Sequence, residues 1–227
     1  MCCYLRAGLV FMMKTDARTL IKICGMTREA DALAAVSMGA AAIGMLFYEK
    51  SPRFVETTQA AIIARAVGEK ALKVGLFVDA PAEQVHSVLA DVPLDILQFH
   101  GNESLEFCAG FGRPFWKTIR VKEPEDLLDQ VRGYQEAAGI LLDTWHPTQA
   151  GGTGQSFDWS AAENLEIDQH LILAGGLNPD NVASAITQVH PWAVDVASGV
   201  EASPGIKSEH LMKQFIDEVN RVSTETP

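Results

Sequence analysis

Ile140-Leu141-Leu142-Asp143-Thr144, followed across Trp145 to Ala150 by Gly151-Gly152-Thr153-Gly154, is an apolar strand that ends in an acid and runs into a glycine-rich loop. Enzymes built on parallel strands keep catalytic groups at that end of a strand. The same grammar occurs once more, near the start of the chain. In Ile21-Lys22-Ile23-Cys24-Gly25 a thiol closes the strand, and Thr27 stands where it can cap the helix that follows. An acid and a thiol at two strand ends point to proton-transfer chemistry.

Outward from these two segments, short apolar runs alternate with helical patterns about every 25 residues, the signature of repeated βα units. Eight strands are expected: Leu20 to Cys24, Ala42 to Phe47, Lys73 to Val78, Ile96 to His100, Phe115 to Val121, Gly139 to Asp143, Leu171 to Ala174 and Ala193 to Ala197. Pro81 marks a first helical turn ahead of Val85, Val88 and Leu89. Asn178-Pro179 reads as N-cap and N1 before Val182, Ile186 and Val189. Leu211, Phe215 and Val219, beside Met212 and Ile216, give the last helix its apolar stripe. Eight units in one chain predict a closed (β/α)8 TIM barrel over residues 20–222. An open doubly wound sheet usually has fewer strands and often a Gly-x-Gly-x-x-Gly turn after the first, whereas Cys24 is followed by Gly25-Met26-Thr27. Residues 1–19 lack a signal-peptide cleavage pattern and are expected to form a disordered extension.

The 227 residues, 48% hydrophobic and 21% charged, suffice for one large core. A formal charge of −11 disfavours nucleic acid and anionic membrane surfaces as partners. No apolar run reaches the roughly 18 residues of a membrane helix. Cys2, Cys3, Cys24 and Cys108 form neither a C-x-x-C pair nor an even framework, which favours a reducing cytoplasm. The six histidines include no H-x-x-x-H pair with an adjoining acid, so no metal site is expected. With no sequence stripe demanding a partner, a monomer is expected.

In a barrel the upper ends of all strands converge. That rule gathers Cys24, Arg53, Asp79, Gln98, His100, Arg120, Asp143, Gly175, Gly176, Asp195, Ser198 and Gly199 at one mouth. Barrels commonly hold phosphate after strands seven and eight, through backbone N–H groups and a helix N-terminus. Gly175, Gly176, Ser198 and Gly199 fit that use, and Gly154 in the loop after strand six joins them. Structural turns are the rival reading. A phosphorylated small molecule is the expected substrate.

Seven segments carry a family resemblance, in order: Lys22-Ile23-Cys24-Gly25-Met26-Thr27, Ser51-Pro52-Arg53, Gln98-Phe99-His100-Gly101, Leu142-Asp143-Thr144, Gly151-Gly152-Thr153-Gly154, Gly175-Gly176-Leu177-Asn178-Pro179 and Asp195-Val196-Ala197-Ser198-Gly199-Val200-Glu201. From Ile21 to about Val219 the chain resembles the phosphoribosylanthranilate isomerases of tryptophan biosynthesis. The resemblance implies an Amadori rearrangement of N-(5-phosphoribosyl)anthranilate to the 1-deoxyribulose 5-phosphate, without metal or organic cofactor. It implies Cys24 as general base, Asp143 as general acid and Arg53 as the contact for the anthranilate carboxylate. The chemistry of these residue types agrees. Opening the furanose needs a proton on the ring oxygen, and the resulting Schiff base has an acidified C2′ hydrogen that a thiolate removes.

Plainer roles compete for each residue. Cys24 suits a small core site and Asp143 a turn cap. Arg53 has Glu49 and Glu56 nearby in sequence. His100 suits loop packing or substrate contact, and Asp195 the substrate amine or a neighbouring loop. Free Asp is ionised and free Cys mostly protonated near neutrality, so surroundings must invert both. Burial under the ligand would favour the acid form of Asp143. Alternation along the strand puts Lys22 on the side of Cys24, where its ammonium favours the thiolate. The loop from Trp145 to Ser156 suits a lid. Other sugar-phosphate barrel enzymes, or a silent binding module, would share the phosphate turns but not this pairing of thiol and acid.

Overall fold

The computed structural model describes residues 18–121, 126–144, 159–163 and 165–223. The extension through residue 17, the loop with Gly154 and the expected lid lie outside them. Eight parallel strands close into a barrel in sequence order. They are β1 (Leu20–Ile23), β2 (Ala42–Leu46), β3 (Leu72–Phe77), β4 (Ile96–Phe99), β5 (Phe115–Val121), β6 (Gly139–Thr144), β7 (His170–Leu173) and β8 (Ala193–Val196). All eight expected strands are present, with ends shifted by no more than one residue. Closure joins β1 to β8 in the register Leu20↔Ala193 to Ile23↔Val196.

Parallel strands covered on both faces read as nearly continuous apolar runs. Alternate residues then build two cores. Outward side chains such as Ile23, Ile43, Phe77, Phe99, Leu142 and Val194 pack beneath the helices. Inward ones form a smaller cluster of Ala42, Leu72, Val74, Ile96, Trp116, Leu141, Ile172 and Ala193, which plugs the lower barrel. Trp192 meets Trp116 edge to face at the lower end, with ring centroids 6.2 Å apart.

The covering helices are α1 (Glu29–Met38), α2 (Thr57–Val67), α3 (Ala82–Asp91), α4 (Leu105–Ala109), α5 (Leu127–Arg132), α6 (Ser160–Glu163), α7 (Val182–Val189) and α8 (Glu209–Ser223). In α8 the apolar stripe buries Met212, Phe215, Ile216 and Val219. Each such side chain stabilises by about 1.5–3 kcal/mol.

Three helix starts differ from the expected ones. Pro81 is the N-cap of α3 and not its first helical residue. Helix α7 begins at Val182, four residues after Asn178. Asn178 instead accepts the Asp180 N–H on its side-chain oxygen at 2.8 Å, and its carbonyl receives Val182 N–H at 3.1 Å. Thr27 caps nothing: its hydroxyl donates to the Gly205 carbonyl, and Arg28 occupies the N-cap of α1. Gly205 belongs to a small hairpin of β9 (Glu201–Ser203) and β10 (Ile206–Lys207), which follows a 3-10 turn at Ser198–Val200.

Candidate active site

A cavity of about 560 Å³ opens where the strands end, within the size range of small-ligand sites. Cys24, Arg53, Gln98, His100, Asp143, Gly175, Gly176, Asp195 and Ser198 all line it. Gly199 is not among the lining residues but directly follows Ser198, which is.

Cys24 is buried, and its N–H donates to the Val196 carbonyl at 2.8 Å, which ties the thiol's backbone to β8. One layer below, Lys22 Nζ lies 2.8 Å from Asp195 Oδ1, and both side chains are buried. Among the described residues neither of those two atoms makes an aligned hydrogen bond, so the pair is a close charge contact. Asp195, expected to meet the substrate amine or a neighbouring loop, lines the cavity and has Lys22 as its buried partner within the protein. Burial pushes the Cys24 thiol up, Lys22 pulls it down, Asp195 raises it again, and the net result is upward. Lys22 therefore acts in the expected direction but does not win. Burial alone would lower Lys22, yet Asp195 and Cys24 together leave it raised.

Across the mouth, Asp143 at the top of β6 has His100 Nε2 3.2 Å from its Oδ2. Arg120, on the strand between them, donates from Nη2 to the His100 carbonyl at 2.6 Å. The turn after His100 is pinned from outside the barrel. Glu103 accepts the N–H of Asp79 at 2.8 Å and of Gly101 at 3.0 Å, and pairs with buried Lys117 at 2.9 Å. Gln98 is fully buried and donates to Thr118 Oγ1 at 3.1 Å, while its Oε1 has no hydrogen-bond partner among the described residues.

The glycine turns after β7 and β8 are adjacent. Gly175 and Gly176 have φ of 82° and 69°, values that a side chain would oppose. Asn181 holds this turn by donating to the Gly176 carbonyl at 3.0 Å and accepting Asn178 N–H at 2.9 Å. Gly199 packs directly on the Leu177 carbonyl and the Asn178 Cα, leaving no room for a Cβ.

Arg53 does not pair with Glu49 or Glu56. Its Nε and Nη2 each donate to Glu201 at 2.8 Å, a bidentate ion pair, and Arg53 is also among the residues that line the cavity. Lys207 Nζ approaches Glu201 Oε1 at 2.8 Å. Burial alone would raise the Glu201 carboxyl, but Arg53 and Lys207 outweigh it and hold it low. Burial lowers Lys207. Glu201 appeared in the sequence only as the end of a motif, and Lys207 gave no signal there. Among the described residues no group of three or more His, Cys, Asp or Glu is placed to hold a metal ion, and no helix is long and apolar enough to cross a membrane.

The family model for N-(5'phosphoribosyl)anthranilate (PRA) isomerase matches residues 21–218. A curated N-(5'-phosphoribosyl)anthranilate isomerase of Pseudomonas aeruginosa is 51% identical over 199 residues, covering 88% of this chain and 94% of that protein. The crystal structure of the Thermotoga maritima phosphoribosyl anthranilate isomerase superposes with a TM-score of 0.83 at 38% identity, covering 89% of this chain and 99% of the other. A further solved isomerase, in complex with reduced 1-(o-carboxyphenylamino)-1-deoxyribulose 5-phosphate, has a TM-score of 0.77 at 36% identity, with 89% and 99% covered.

Proposed function

This chain belongs to the N-(5'-phosphoribosyl)anthranilate isomerase family and is an enzyme of tryptophan biosynthesis; from that premise we propose that Cys24 and Asp143 carry the isomerisation as base and acid. The observation that carries the proposal is their common cavity. The residues extend β1 and β6, which are three strands apart around the ring, so they approach one bound sugar from different sides.

The product is 1-(2-carboxyphenylamino)-1-deoxyribulose 5-phosphate. A protonated Asp143 gives its proton to the furanose ring oxygen as the C1′–O bond breaks and the anilino nitrogen forms the Schiff base. The Cys24 thiolate then takes the C2′ proton, the electron pair moves to give the enolamine, and tautomerisation yields the ketone. The reactive form thus holds thiolate and carboxylic acid together. A free carboxyl is ionised and a free thiol mostly protonated near neutrality, so this reactive form carries an energetic cost. Lys22 reduces that cost from the thiol side, against the burial that raises the thiol on balance. His100, whose Nε2 lies 3.2 Å from Asp143, lines the cavity beside the acid and contacts the substrate there.

Arg53 receives the anthranilate carboxylate, the ligand that a planar guanidinium fits best. The backbone of Gly175, Gly176, Ser198 and Gly199 receives the phosphate, with Gly154 as a further contact. Gln98 and Asp195 complete the walls under the sugar. Uncharged N–H dipoles hold the phosphate without opposing the chain's overall negative charge.

Free thiols at Cys24 and Cys108 and a biosynthetic role fit the cytoplasm. Among the described residues the exposed large apolar side chains, Ile62, Leu128 and Ile206, lie on separate elements, which fits a monomer. The deciding experiment follows the loss of fluorescent phosphoribosylanthranilate with wild type, Cys24→Ala and Asp143→Asn. Each variant should lose about 10² or more in kcat, the scale of a general acid or base. Near-normal turnover by either folded variant removes that residue from the mechanism.

A further inference from the structure

Arg53 reaches the cavity from a loop, and a loop arginine alone has too many rotamers to present one edge to a ligand. Its surroundings remove that freedom. Glu201 takes Nε and Nη2 at 2.8 Å each, and the side chains of Arg53 and Glu201 are only 12% and 5% exposed. Glu201 is itself fixed by Lys207 Nζ at 2.8 Å and by Gly205 N–H at 3.3 Å. Lys207 is anchored in turn on the Ala197 carbonyl at 3.0 Å, and its N–H donates to Asp31 of α1 at 3.0 Å. Nη1 of Arg53 makes no hydrogen bond among the described residues, and Arg53 lines the cavity together with Ser51 and Pro204.

We propose that Glu201 is a positioning residue that locks the Arg53 fork by one edge and turns the other toward the substrate's carboxylate. The inference rests on the assignment of Arg53 to that carboxylate. Glu201 directly follows the Ser198–Val200 turn, so one short segment sets both the phosphate contact and the angle of the guanidinium. The distance between the two charged ends of the substrate is measured against that segment. A ligand with phosphate but no aryl carboxylate engages only half of it.

The test is steady-state kinetics on phosphoribosylanthranilate with Arg53→Met, Glu201→Gln, their double variant and Glu201→Asp, with inorganic phosphate as competitive inhibitor and thermal melts to establish folding. Arg53→Met and Glu201→Gln should each raise KM about 10- to 100-fold, the scale of a lost charge-assisted hydrogen bond. The double variant should be no worse than Arg53→Met, and phosphate inhibition should stay unchanged. Glu201→Asp keeps the charge beside Lys207 but shortens the reach, so it should raise KM less, and it carries the test if Glu201→Gln does not fold. Independent effects that multiply in the double variant overturn the proposal, as does an equal loss of phosphate inhibition, which would assign Glu201 to the phosphate turn. Should Arg53→Met leave KM unchanged, the carboxylate assignment itself fails and the proposal falls with it.

Discussion

Gly44→Ala places a methyl group directly against the proposed base. Gly44 lies on β2 beside β1, and a Cβ there would sit 2.6 Å from Cys24 Sγ, 3.2 Å from Cys24 Cα and 3.2 Å from Lys22 Cε. An ordinary carbon–sulfur contact needs about 3.5 Å, so the thiol must retreat by about 0.9 Å or the strands must part. Overpacking of this kind costs about 1–3 kcal/mol. In a domain of this size that lowers Tm by about 2–12 °C. Misplacing a reacting group by about 1 Å costs about 10² in rate. Substrate loss followed by fluorescence should therefore show kcat down about 100-fold with KM nearly constant, because the three atoms nearest that methyl group all belong to Cys24 and Lys22. Circular dichroism melts on the same samples separate misplacement from unfolding. A folded Gly44→Ala enzyme with kcat within threefold of wild type would refute the placement of Cys24 as the base.

The pH profile tests the same thiol from its electrostatics. If the reactive form pairs thiolate with carboxylic acid, its population declines once pH passes the thiol pKa, which burial raises above the ordinary 9.0. The alkaline limb of kcat/KM should therefore lie above pH 9.0, and Lys22→Met, by removing a charge that lowers the thiol, should move it higher still; a limb that moves down contradicts the assignment. At the phosphate end, Gly199→Ala would drive a methyl group into the Leu177 carbonyl and wedge the two turns apart. KM and the inhibition constant for inorganic phosphate should both rise about tenfold with kcat nearly unchanged, the pattern of lost uniform binding, and unaltered phosphate inhibition would show that these turns do not hold it.

The barrel was legible because its strands are buried on both faces, and runs such as Ile140-Leu141-Leu142 leave little else for the chain to do. The same burial made Cys24 and Asp143 conspicuous, since polar groups ending apolar strands have few structural reasons to be there. Asn178-Pro179 misled because a turn stabilised by an asparagine side chain uses the same residues as a helix cap. Thr27 misled because its hydroxyl was claimed by Gly205, 178 residues away. The hairpin at 201–207 was invisible, since strands of three and two residues carry no period to read. The Glu201 and Arg53 pair joins positions 148 residues apart, a contact that only closure of the barrel creates. Lys22 was placed correctly by alternation, but the net upward shift of the thiol depends on how much water the finished core excludes.

The seam between β1 and β8 ties activity to the completion of synthesis. Cys24 leaves the ribosome well before β8, yet its strand pairs with Val194, Asp195 and Val196, and its own N–H donates to Val196. A nascent chain ending before that strand lacks one neighbour of β1, the carboxylate opposite Lys22 and the turn proposed for phosphate. Closing a loop of that length is entropically slow to be rewarded, so β1 waits as an edge while the other strands assemble. Until the last strand arrives, the thiol is a cysteine near an open edge. Afterwards it is part of a site.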